Sequence, residues 1–216
     1  MAMMVTYTKG QAVYIELRSR ILSGEILPDS VLNQETLAAQ LGVSTTPLRE
    51  ALQRLEAERL VSLRAHREVT VAALSVRELS EIFGVRLQLD PYAGAIAAAN
   101  ATDDELKMIQ TSVPVPGPPG SEATGEGNRR FHRAIYVCSG NELLTTILDS
   151  LWDRTECYRR ILVPDDIGGH VDPEPTHSEI AAALSNRDST AAADLLRRHI
   201  EATENTLKNL LIATQE

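Results

Sequence analysis

The sequence predicts a mostly α-helical chain in two parts. A three-helix unit closed by a small β-hairpin occupies residues 1–74, and an all-α antiparallel bundle occupies residues 75–216. Three observations predict this. Apolar residues recur at helical spacing from Val13 onward. The well-marked β-prone runs, 60–63 and 69–71, flank one short basic tip. From Ser75 nearly to the end the pattern is helical again, broken by turn residues and by the proline-rich stretch 113–121.

In the first part, Val13, Leu17, Ile21 and Leu22 share one stripe of a helix over 12–23, which Gly24 stops. Pro28, Asp29 and Ser30 mark a turn. Asn33 caps a second helix, 34–41, and Gly42 turns the chain tightly. Ser44 caps a third helix, 45–59, with Pro47 in its first turn, where a missing N–H does no harm. Leu48, Leu52 and Leu55 face inward on it, while Thr45, Thr46, Arg49 and Gln53 face outward. The two β-prone runs then pair around Arg64, Ala65, His66 and Arg67. Three helices followed by such a hairpin make a winged helix-turn-helix.

In the second part, Ser75 caps a long helix carrying Leu79, Ile82, Phe83 and Leu87. Pro91 is expected to kink or interrupt it before the alanine-rich stretch 92–101, because proline removes an intrahelical hydrogen bond. Thr102 and Glu105 form a capping box for a short helix ending near Thr111. The proline-rich stretch reads as an extended loop reaching about Gly127, and as a tolerated insertion rather than a gate. Helices resume over 128–139, 142–162, 176–185 and 188–214.

Composition sets bounds on function. A 43% hydrophobic, 24% charged chain of 216 residues has material for two cores. No apolar run approaches a membrane span, and the opening methionines are not followed by a secretory core, so no membrane partner is expected. Cys138 and Cys157 form no pairing motif and read as small buried apolar residues in a reducing, cytoplasmic setting. The net charge of −9 is unevenly placed: residues 1–74 balance eight basic against eight acidic side chains, and the whole excess lies beyond them.

A neutral first part is compatible with nucleic acid where its third helix opens on Ser44, Thr45, Thr46 and Arg49. Hydroxyls at a helix start suit phosphate, and an arginine fork suits guanine in the major groove of double-stranded DNA. Arg64, His66 and Arg67, at the hairpin tip, are placed to touch the minor groove or phosphates. So few phosphate contacts favour a homodimer, which doubles them on a palindromic operator.

The second part holds a suggestive set of histidines. His132 lies one helical turn after Asn128, His177 follows 45 residues later near the start of another helix, and His199 lies 22 further on, in the last helix. Imidazoles from three antiparallel helices can converge in a bundle core as a metal site requires. From spacing alone two readings stay open: ordinary polar histidines, or ligands for Zn²⁺, Ni²⁺, Cu²⁺ or Fe²⁺. Trp152 and Tyr158 read as core or dimer-surface residues.

The run from Val13 to Gly24, the stretch from Leu37 to Leu52, and Arg54 to Val61 together resemble the GntR family of bacterial transcription regulators. The resemblance is to its FadR-like branch with an all-helical FCD effector domain. The second part joins the resemblance through Val85 to Pro91, Phe131 to Ile135, Ser139 to Asn141, His177 and His199. It implies a ligand-responsive DNA-binding regulator, commonly a repressor, and not an enzyme. It also implies that His132, His177 and His199 hold a divalent metal, Zn²⁺ or Ni²⁺ first, with Asn128 standing where the family usually has aspartate. A small carboxylate effector would bind there, with Arg86 as its partner and Arg160 as a weaker candidate; Arg86 could equally pair with Asp90 on its own helix. Two departures stand out: Thr45 replaces a usual arginine, and the hairpin tip lacks the usual glycine. The rivals are a metal-dependent hydrolase, which lacks an H-E-x-x-H motif here, and an adaptor that has lost DNA binding.

Overall fold

The computed structural model describes residues 7–63, 68–114, 126–163 and 176–214. The chain divides into two compact units, Met1–Leu74 and Ser75–Glu216.

In the first unit, α1 (Lys9–Leu22) starts one turn earlier than the apolar stripe alone indicates. Its start is set by a capping box in which Thr8 Oγ1 accepts from the Gln11 N–H and Gln11 Oε1 accepts from the Thr8 N–H. A short strand β1 (Val31–Asn33) follows, then α2 (Gln34–Gln40) and α3 (Thr45–Ala57). Asn33 both ends the strand and caps α2, its Oδ1 accepting from the N–H groups of Glu35 and Thr36. Gly42, at φ +64°, makes the turn between α2 and α3 in a conformation that L side chains rarely adopt. The hairpin strands β2 (Val61–Leu63) and β3 (Glu68–Val71) pair antiparallel, Ser62 opposite Thr70. β1 adds to the far edge of β3, Leu32 opposite Val69, so the sheet order is β1-β3-β2. The third strand is a feature that the sequence reading lacks. Val13, Leu17, Leu48, Leu52, Leu55 and Val69 form the core beneath. The tip residues Arg64, His66 and Arg67 lie outside the described residues.

The second unit is all helix: α4 (Val76–Asn100), α5 (Asp103–Thr111), α6 (Glu126–Cys138), α7 (Glu142–Leu162), α8 (His177–Ser185) and α9 (Ser189–Ala213). Side-chain caps fix five of these starts, at Ser75 and Thr102 as the sequence leads one to expect, and also at Asn141, Thr176 and Asp188. The proline-rich stretch from residue 115 on lies outside the described residues.

One expectation is corrected. α4 runs through Pro91 without a break. Proline at 91 leaves the carbonyl of Leu87, four residues back, without its helical donor. Arg197 of α9 supplies the substitute, donating from Nη1 to that oxygen at 2.8 Å. The two helices can sit this close because Gly94 faces α9: a Cβ there would stand 2.2 Å from Leu196 Cδ1. The bundle core, from Ala93 and Ala97 through Phe131 and Ile135 to Leu196, packs around this pair.

Candidate functional site

The first site is the opening of α3. Ser44 occupies the N-cap position, yet its hydroxyl makes no capping bond, which leaves it available to another acceptor or donor. Thr45, Thr46 and Arg49 are exposed, as are Ser44 and Gln53, while Leu48, Ala51, Leu52 and Leu55 are buried. The second half of the helix is tied into its own unit. Tyr14 and Arg18 of α1 both donate to the Glu58 carboxylate, Arg54 stacks on the Tyr14 ring at 4.0 Å, and Glu56 accepts from the Leu63 N–H. One end of α3 is therefore fixed to the fold, and the other is presented free.

The second site lies inside the bundle. α6 carries Asn128 and His132 one turn apart, α8 begins with His177, and α9 brings His199. All three imidazoles are buried, and one nitrogen from each lies within 4.8 Å of the others. Asn128 joins them, its Oδ1 accepting from His177 Nε2 at 2.9 Å. The structure thus brings together the four residues that the sequence singled out from three separate helices. Among the described residues no carboxylate belongs to this cluster.

Against it packs a second buried polar group. Arg86 and Asp90, one turn apart on α4, form a two-pronged ion pair at 3.2 and 3.3 Å. Asp90 also accepts from the Tyr136 hydroxyl at 2.5 Å, and Arg86 donates to Thr155 Oγ1 at 3.3 Å. Burial pulls the guanidinium pKa down, but Asp90 and Tyr136 outweigh it and hold it above the usual range. Burial raises the Tyr136 hydroxyl well above its ordinary value. Of the two roles that the sequence leaves open for Arg86, the structure contains the ion pair. Arg160 is half exposed and pairs with Glu156 at 3.0 Å.

Whether the cluster suits a metal is tested by its unfinished bonds. His132 Nδ1 is buried, lies 4.0 Å from Asp90 Oδ1 and has no hydrogen-bond partner among the described residues. Leaving such an atom unsatisfied costs roughly 1–3 kcal/mol. Burial, with His199, His177 and Arg86 adding to it, pushes His132 well below the ordinary imidazole range, so the ring stays neutral. Neutral imidazoles are the form that ligates, and three of them with an amide oxygen suit a divalent transition ion.

One residue read from the sequence only as core or dimer surface also borders this site. Trp152 of α7 packs its ring 4.9 Å from His132 and 4.8 Å from the Arg86 guanidinium, and its Nε1 is buried without a partner among the described residues. No spacing rule connects position 152 to 86 and 132; only the packing of α7 on α4 and α6 does.

Comparison with known proteins identifies the family to which both parts of the chain belong. Residues 9–71 match the bacterial regulatory proteins of the gntR family, and residues 81–202 match the FCD domain. The chain belongs to the GntR family and carries an FCD domain, which places it among transcriptional regulators rather than enzymes. It is 28% identical over 198 residues to the HTH-type transcriptional repressor GlaR of Escherichia coli (strain K12), covering 87% of this chain and 90% of that one. To the HTH-type transcriptional regulator McbR of the same organism it is 32% identical over 143 residues, 64% of this chain and 65% of the other. The solved structure of E. coli McbR/YncC superposes with a TM-score of 0.72 at 26% identity, covering 97% and 100% of the two chains. A GntR regulator from Rhodococcus sp. RHA1 gives 0.74 at 22% identity over 94% and 99%, a likeness of fold.

Proposed function

We propose that this regulator binds a palindromic operator as a homodimer and represses transcription until a small organic acid enters the bundle. In this reading Ser44, Thr45, Thr46 and Arg49 meet phosphates and base edges in the major groove, and Arg64, His66 and Arg67 add contacts beside it. His132, His177, His199 and Asn128 hold a divalent metal, Zn²⁺ or Ni²⁺ first, which supplies a Lewis-acidic anchor for a carboxylate. Arg86 stands beside that anchor as the effector's partner, and Arg160 is a weaker candidate for the same role.

The observation that carries the proposal is the meeting of three buried imidazoles from three helices, in a different unit from the exposed face of α3. A chain that only read DNA would have no use for three buried imidazoles gathered in this way. Binding energy differing between two states of the bundle is what a ligand needs to alter DNA affinity.

The test is fluorescence anisotropy on a palindrome from the regulator's own promoter region, with zinc and organic acids added. Operator affinity is expected to fall about five- to 150-fold with the matching acid. Affinity indifferent to every acid, with and without metal, overturns the effector reading while leaving DNA binding intact.

A further inference from the structure

We infer that the histidine cluster is built to load a metal and an anion together, neither binding well alone, and that Trp152 donates a hydrogen bond to the anion. The inference rests on the metal reading above and specifies its regulation.

Charge is the first part of the argument. As ligands, three imidazoles and the Asn128 amide bring no negative charge, and no carboxylate among the described residues joins them. The neighbouring Arg86 and Asp90 cancel one another through their ion pair. A divalent cation placed there would keep its full charge in a buried, low-dielectric setting, which is costly without a counter-charge. An anion arriving with it removes that cost. Aspartate at position 128 would supply a negative charge permanently; asparagine leaves it to come from outside.

Unfinished hydrogen bonding is the second. Trp152 and His132 are in ring contact, and each carries a buried polar atom without a partner among the described residues. The Trp152 indole N–H is a donor only and lacks an acceptor, which a carboxylate oxygen provides. A neutral imidazole has one nitrogen lone pair to give a cation. A carboxylate answers the indole N–H and a cation takes the imidazole lone pairs, so the two arriving together use both groups.

The experiment uses the full chain, stripped of metal, dialysed against Zn²⁺ in a carboxylate-free, non-chelating buffer. It is repeated with acetate, glycolate and lactate, which hold free zinc weakly. Bound zinc is counted by mass spectrometry. At least one acid is expected to tighten zinc binding about tenfold or more. Asn128→Asp should bind zinc about tenfold more tightly with no acid present, and should gain less from the acid. Trp152→Phe should bind zinc alone as the parent does and lose most of the acid-dependent gain. Trp152 is the chain's single tryptophan, so its fluorescence in the parent protein reports the acid directly, and should respond only when zinc is present.

Equal zinc affinity with and without acid, together with no gain in Asn128→Asp, overturns the inference and leaves the metal reading standing. Failure of both proteins to take up zinc under every condition overturns the metal reading itself, and this inference with it.

Discussion

The polar side chains on α3 and those around His132 are treated in opposite ways by the fold. At the start of α3, Ser44, Thr45, Thr46 and Arg49 stand in solvent, and nothing in the unit depends on them. Around His132, the charged and polar groups are out of water, and Arg86, Asp90, Tyr136 and Thr155 satisfy one another. Exposed polar groups contribute little to stability and remain free for recognition. Buried ones are normally paired, and His132 Nδ1 and Trp152 Nε1 are two that have no partner among the described residues.

The comparison is broken most sharply at Arg86. Arg86→Met leaves Asp90 buried with only Tyr136 to answer its charge, and should lower unfolding free energy by about 3–5 kcal/mol, read as the urea midpoint. A midpoint unchanged from the parent would mean that the ion pair is not structural. At the opposite extreme, Arg49→Ala should cost about 1–3 kcal/mol of operator affinity, relaxing selectivity at one base position, while the urea midpoint stays put. Loss of stability there would show that the helix start is not the free surface described.

Smaller effects sharpen the same contrast. Arg197→Ala removes the donor that Pro91 makes necessary and should cost about 1–2 kcal/mol; an additional Pro91→Ala restores the helical donor and should recover much of it. Asn33→Ala deletes the cap of α2 and should cost about 1 kcal/mol in thermal or urea unfolding.

The smallest expected effect is a matter of pH. Burial raises the Cys138 and Cys157 thiols to about 11 from 9.0, with Glu78 and Glu156 adding to the effect at Cys157 and Glu105 at Cys138. In the folded state both stay protonated where unfolded thiols ionise. Stability is therefore complete below pH 9 and falls as pH rises from 9 toward 11. Iodoacetamide should label the native protein slowly at pH 8 and the urea-unfolded protein quickly, as seen by intact mass. Fast native labelling at pH 8 would contradict the raised pKa of the two thiols.

Local chemistry made much of this legible in advance. Ser75, Thr102 and Asn33 announce their helices because a capping side chain acts within three residues of itself. The exposed face of α3 follows from the inward stripe of Leu48, Leu52 and Leu55. The four site residues of the bundle could be named, but their meeting depends on helices whose packing no spacing encodes. β1 was hidden because three residues are too few to show alternation, and Asn33 advertises the helix that follows more strongly than the strand it ends. The unbroken α4 was hidden because its remedy, Arg197, stands 110 residues from Leu87. Trp152 could be read as core or dimer surface but not as a neighbour of the histidines, because its partners lie on two other helices.

That repaired helix has a mechanical consequence. At 25 residues α4 is a rod roughly 37 Å long, since an α-helix rises 1.5 Å per residue. It begins at the residue after Ser75, where the second unit starts, and carries Arg86 and Asp90 along its length. A proline there ordinarily acts as an elbow; pinned by Arg197, it becomes a splinted joint. The brace at Leu87, where Pro91 removes a helical hydrogen bond, thus stands between Asp90 and the rod's first turn.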